Sequence, residues 1–224
     1  MSIFGSLFQK RQRGVPDPLR ETLFGDVPLE EWPRNNASSQ DFPWRSFVIA
    51  RSELAAGRRD EAVACWKQIL AHPGLEPRHY LQAWHFLRQQ GVVPAAGIAR
   101  QILGVVVEVA MPEGLDLLAA YSDCSARYYN YSGKAVVWEH PDSSMDAAID
   151  QLFEAARQVV SRIGPWEKPR LAPPPRDQAR LSFLTPSGLY FGQAPAAALA
   201  RDPLGGHALQ MATELMRSLV ASDN

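Results

Sequence analysis

The sequence predicts an α+β protein: N-terminal helical hairpins, then an antiparallel sheet with two packed helices. Three observations carry that expectation. Apolar residues between Trp44 and Leu87 recur at helical spacing around two glycines, Gly57 and Gly91, that stand 34 residues apart. After Leu103 the pattern changes to short β-branched and aromatic runs divided by turn residues. Two later segments, 145–163 and 209–219, return to the helical period. The chain accordingly divides into a tail and acidic, proline-rich strap (1–43), a helical region (44–104), and an α+β domain (105–224) with a proline-rich connector at 164–178.

In the helical region, Ala62, Val63, Trp66, Ile69 and Leu70 fall at i, i+1, i+4, i+7 and i+8, one face of a helix. Tyr80, Trp84 and Leu87 repeat the i, i+4, i+7 spacing, and Leu81 widens the stripe. Gly57 and Gly91 directly follow helical segments, where a left-handed residue without Cβ is favoured. Pro77 and Pro94 suit first helical turns, which tolerate a missing N–H. Four helices of about 10–14 residues are expected.

The first unit reads Ala56-Gly57-Arg58-Arg59-Asp60-Glu61-Ala62-Val63-Ala64-Cys65-Trp66, preceded by Ile49-Ala50. Glycine at the turn, a small residue at the helix crossing and an aromatic four residues later resemble the tetratricopeptide repeat, whose period is 34 residues. The second unit keeps Gly91 and Ala96 but has Trp84 and Arg100 where a small residue and an aromatic belong. The resemblance implies a groove lined by the first helix of each unit. Residue by residue, that places Trp44, Phe47, Arg51 and Leu54 beside Arg78, Leu81, His85 and Arg88. Arginines among apolar residues suit an acidic, partly extended peptide, since guanidinium pairs with carboxylate in a fork. The strap, with Asp17, Glu21, Asp26, Glu30 and Glu31, is such a segment, tethered beside its own groove.

Within the strap, Pro16, Pro18, Pro28, Pro33 and Pro43 exclude a long helix, while Leu19, Leu23, Phe24, Val27, Leu29 and Trp32 are too apolar for a linker. Before it, Ile3 to Phe8 with Lys10, Arg11 and Arg13 forms a short apolar cluster with a basic collar, read as a frayed terminus. Beyond Leu103, Val105 to Val109 reads as a strand, and Ser132-Gly133 and Thr185-Pro186-Ser187-Gly188 as hairpin turns. Asp142, Ser143 and Ser144 offer N-caps to the helix that starts near Met145.

Composition narrows the function. The net charge is −1, but the helical region holds eight bases against four acids and the strap two against six. Such asymmetry speaks of docking between segments and partners. The near-neutral balance argues against a nucleic-acid partner, and no apolar run reaches membrane-spanning length. Two cysteines, Cys65 and Cys124, fit reduced thiols in a cytoplasm.

Candidate chemistry is sparse. The five histidines form no metalloprotease signature and no cysteine pair has zinc spacing, so neither metal nor cofactor is expected. Cys65 and His72 share a helical face, a pattern that packing explains. Glu139-His140-Pro141-Asp142 sets carboxylates beside an imidazole at a strand end, which a solvated turn also explains. No catalytic residue is assigned. The expected function is a non-catalytic cytoplasmic interaction protein, a bacterial adaptor or immunity-type protein, binding another protein or an acidic segment through Trp44, Phe47, Arg51, Arg78, His85 and Arg88. The alternative is a small-ligand sensor or enzyme with a pocket near Tyr129, Tyr131, Trp138 and His140.

Overall fold

In a computed structural model, which describes residues 16–32 and 40–222, the helical spacing between Trp44 and Gln89 folds as three long helices. The expected behaviour of the terminal cluster, residues 3–13, lies outside the described residues. The strap opens with α1 (Asp17–Phe24), a helix of two turns that its prolines permit because Pro18 sits in the first turn, where its missing N–H costs nothing. A 3-10 turn at Leu29–Glu31 follows, then α2 (Trp44–Ala55), α3 (Arg59–Ala71) and α4 (Pro77–Gln89). Gly57 and Gly91 stand just past α2 and α4 with φ of 76° and 75°, the left-handed geometry that ends a helix. The expected fourth helix shrinks to one turn, α5 (Ala96–Ala99). It has no side-chain cap and carries Gly97 inside it, and such a segment does not propagate on propensity alone.

Six strands then form one antiparallel sheet: β1 (Gly104–Ala110), β2 (Leu115–Tyr121), β3 (Ala126–Tyr129), β4 (Ala135–Trp138), β5 (Gln178–Thr185) and β6 (Gly188–Pro195). Their order is β4-β3-β2-β1-β5-β6, a four-strand meander with a hairpin added beside β1. Between β4 and β5 runs α6 (Asp146–Val160); after β6 come the short α7 (Ala196–Leu199) and the long α8 (Gly205–Ser222). Met145, not the Asp142–Ser144 run, takes the N-cap position of α6, while Asp142 accepts a hydrogen bond from the Ser144 amide at 2.8 Å.

Both faces of the sheet are covered. Val105, Val107, Leu118, Ala120, Leu181 and Phe183 pack on α6 and α8. Val106, Leu117, Ala119, Tyr121 and Leu184 point the other way and pack on Leu23, Phe24 and Leu81 of α1 and α4. The second cover was not foreseen from the pattern, although strands buried on both faces read as continuous apolar runs, as Val105-Val106-Val107 does. The helical region therefore shares a core with the sheet.

At Gly25, past the end of α1, φ is 63° and an added Cβ would come 2.7 Å from Leu81 Cβ, so only glycine lets the strap turn this close to α4. Glu108 of β1 is fully buried. Its Oε1 accepts from Arg20 Nε at 2.9 Å and Nη2 at 2.6 Å, and Arg180 Nη1 stands 3.4 Å from its Oε2. Glu108 and Arg180 are directly opposed across β1 and β5, and Arg180 continues to Gln193 on β6. This row locks α1, and with it the root of the strap, to the sheet.

Candidate functional site: an occupied groove and the cleft beside it

After Gly25 the strap runs extended over the first helices of both hairpin units. Val27 is held by the side-chain amide of Gln82 on α4: its N–H donates to Gln82 Oε1 at 2.9 Å, and its C=O accepts from Gln82 Nε2 at 3.0 Å. The 3-10 turn delivers Trp32 against α2, where it stacks on Phe47 at 4.7 Å and on Trp44 at 5.7 Å. Trp44 in turn meets the edge of His79 at 4.5 Å. Arg51 donates to the carbonyl of Trp32. Val27 and Trp32 are both buried and join the core of the hairpins.

Trp44, Phe47 and Arg51 thus come together around Trp32, at the end of the 3-10 turn. The remaining candidates go elsewhere. Arg78 pairs with Glu76 and lies over the Tyr121 ring, while His85 and Arg88 face a cleft further along α4. The expected forks between groove arginines and strap carboxylates require a correction. Asp26 receives its fork from Arg170 in the connector, at 2.6 and 3.1 Å. Arg88 donates to Pro186 O at 2.8 Å. The groove arginines meet carbonyls and closer acids before they reach the strap carboxylates, so apolar burial, bonds to its main chain and the Arg170–Asp26 pair hold the strap. Gln82, the residue that grips the strap, was missed; a polar residue on the apolar stripe of α4 was its one signal in the sequence.

The cleft has a volume of about 580 Å³. Its walls are the turn after α1, α4, the connector at Pro165–Arg170 and the β5–β6 turn. The connector is not a free spacer. Trp166 N donates to Leu189 O at 2.6 Å, and its ring meets the Phe191 ring edge-on at 5.1 Å. Inside the cleft, burial lowers His85 to about 4, with Arg88 and Arg170 adding to the effect against Asp26. Burial likewise lowers Arg88 to about 10, opposed by Asp26.

The alternative pocket does not assemble. Tyr129 packs on the face that meets α1 and α4, whereas Trp138 packs on the α6–α8 face. Tyr131 is exposed, and His140 sits beside Asp146. Neighbouring residues along β3 alternate between faces, so an aromatic run read together in sequence is split by the sheet. Cys65 and Cys124 are both free thiols. No helix among the described residues is long and apolar enough to cross a membrane. No family model, curated protein or solved structure matches the chain.

Proposed function

We propose that this chain is a non-catalytic interaction module, and that its α2–α4 groove takes up an extended segment of a partner protein, the strap holding that place in cis. The observation that carries this reading is the manner of attachment. Gln82 reads main-chain N–H and C=O of one residue, and Arg51 reads a main-chain carbonyl, so much of the grip is independent of side-chain sequence. Specificity then comes from an aromatic seated between Phe47 and Trp44 and from an acid preceding the clamped residue, as Asp26 does. The tetratricopeptide resemblance of the first unit fits the same reading. The strap is also an imperfect occupant. Trp32 Nε1 is buried without a hydrogen-bond partner among the described residues, a defect costing on the order of 1–3 kcal/mol. A tethered segment needs only modest affinity, because its effective concentration is about millimolar.

Exchange in trans tests the reading. Trp32→Ala vacates the aromatic slot while leaving α1 and its ion pairs in place. A labelled peptide of residues 25–32 should bind this variant saturably in fluorescence anisotropy, and the native chain at least tenfold more weakly. Adding Gln82→Ala should reduce binding again. Absence of saturable binding to the Trp32→Ala chain, with its circular dichroism unchanged, would contradict the proposal.

A further inference from the structure

Away from the groove, the far end of the sheet brings together three residues of different chemistry. Cys124 lies in the turn between β2 and β3, His140 just after β4, and Asp146 opens α6. One donor atom from each lies within 4.8 Å of the others. We propose that Cys124, His140 and Asp146 bind a divalent transition-metal cation of borderline softness, zinc above all, with a fourth position open to water.

Donor chemistry is the first argument. A thiolate, an imidazole and a carboxylate are the three ligand types zinc accepts, with bonds of about 2.0–2.3 Å. Donors around a tetrahedral ion stand about 3.3–3.8 Å apart by the same bond lengths, so the trio closes on an ion by shifts of about an ångström or less. The His140 side chain is 41% exposed and Asp146 33%, which leaves room for the fourth ligand and a path for the ion. Hard ions such as magnesium prefer oxygen alone and would not select the sulfur.

Local geometry is the second argument. His140 Nε2 is 2.9 Å from Asp146 Oδ1. Yet that oxygen is screened from solvent and accepts no well-directed hydrogen bond among the described residues. The two atoms approach each other without a well-directed hydrogen bond, a contact that a shared cation would satisfy. Cys124 and His140 hold φ of 62° and 54°, and among the described residues only Asp177 shares this left-handed geometry without being glycine. Backbone strain of this kind gathers where a site fixes its side chains.

The surrounding field is the third. A carboxylate oxygen of Asp146 stands within 4.8 Å of the Cys124 sulfur, and negative charge beside the thiol favours a cation that replaces its proton. Binding therefore releases that proton to solvent as the Cys124 sulfur–metal bond forms, with no change of oxidation state.

The experiment uses the full chain, freed of metal by a chelator, and titrates it with zinc chloride and cobalt chloride. One equivalent should bind, raise the melting temperature and release protons. The cobalt form should show a thiolate-to-metal charge-transfer band. Cys124→Ser, His140→Asn (a side chain that also tolerates left-handed backbone) and Asp146→Asn should each weaken zinc binding at least tenfold and remove or shift that band, while retaining the native circular dichroism. Cys65→Ser should change nothing. Binding that survives Cys124→Ser, or that is lost with Cys65→Ser, would overturn the proposal. So would failure of the native chain to bind a stoichiometric zinc ion.

Discussion

Glu108 shows how far a single residue can commit a fold. It is fully buried in β1, covered on both faces, and Arg20 and Arg180 meet it from a helix and a neighbouring strand. Such a trio need not stabilise more than an apolar substitute would, but removing one member leaves buried charge without its counterpart. Glu108→Gln keeps the shape and takes away the charge. We expect a loss of about 3–5 kcal/mol in urea unfolding; a change below about 1 kcal/mol would mean that Gln193 and the Leu171 carbonyl already suffice for Arg180, and Asp17 for Arg20. In the sequence, Glu108 was visible only as a polar position in an apolar run. Its partner Arg20 lies 88 residues away, and local periodicity holds no information about a contact of that separation. His140 gives the complementary lesson. Its chemistry was noticed beside Glu139 and Asp142, but its neighbours in space are Cys124 and Asp146, which only the closure of β2–β3 and the start of α6 bring near.

Among the elements, those set by a strong period were legible and those set by docking were not. The stripes at Ala62–Ile69 and Tyr80–Leu87 became α3 and α4, and the Ser132-Gly133 and Ser187-Gly188 turns became the two hairpins. The expected helix after Pro94 stopped at Ala99, because Leu103 is claimed at once by β5 through its amide and the Leu184 carbonyl. The connector at 164–178 read as a spacer from its prolines, yet Trp166 and Arg170 tie it to β6 and to Asp26. The strap was legible as a segment with apolar anchors and as an occupant of the α2–α4 surface. The force holding it was not, since charge counts favour arginine–carboxylate pairing while the fold spends those arginines on carbonyls and nearer acids.

At the scale of the molecule, helical layer, sheet and outer helices pack as three layers, with α4 serving both the hairpin core and the sheet. Two histidines on α4 tie stability to pH. Burial is the main cause that lowers both His79 and His85 to about 4, from an ordinary value of 6.5. Unfolding releases each to titrate normally, so between pH 6.5 and 4 the unfolded chain binds more protons. Stability is then full above pH 6.5 and falls as the solution is acidified through that window, by up to about 1.4 kcal/mol per pH unit for each histidine. His85→Gln should lower the slope by about one proton in urea titrations at stepped pH. An unchanged slope would show that His85 is not held neutral.

The account turns on whether the strap can leave its groove while the rest of the chain stays folded, and amide exchange at Val27 measures that directly. Among the described residues the Val27 amide is bonded only to the Gln82 side chain, whereas Val106 lies at the centre of the sheet, fully buried. Local opening predicts that Val27 exchanges much faster than Val106, with little dependence on low urea, and that Trp32→Ala accelerates Val27 while leaving Val106 unchanged. Exchange of Val27 and Val106 at one common rate, with the same urea dependence, would mean that the groove empties only when the protein unfolds, and would contradict its role as an exchangeable binding site.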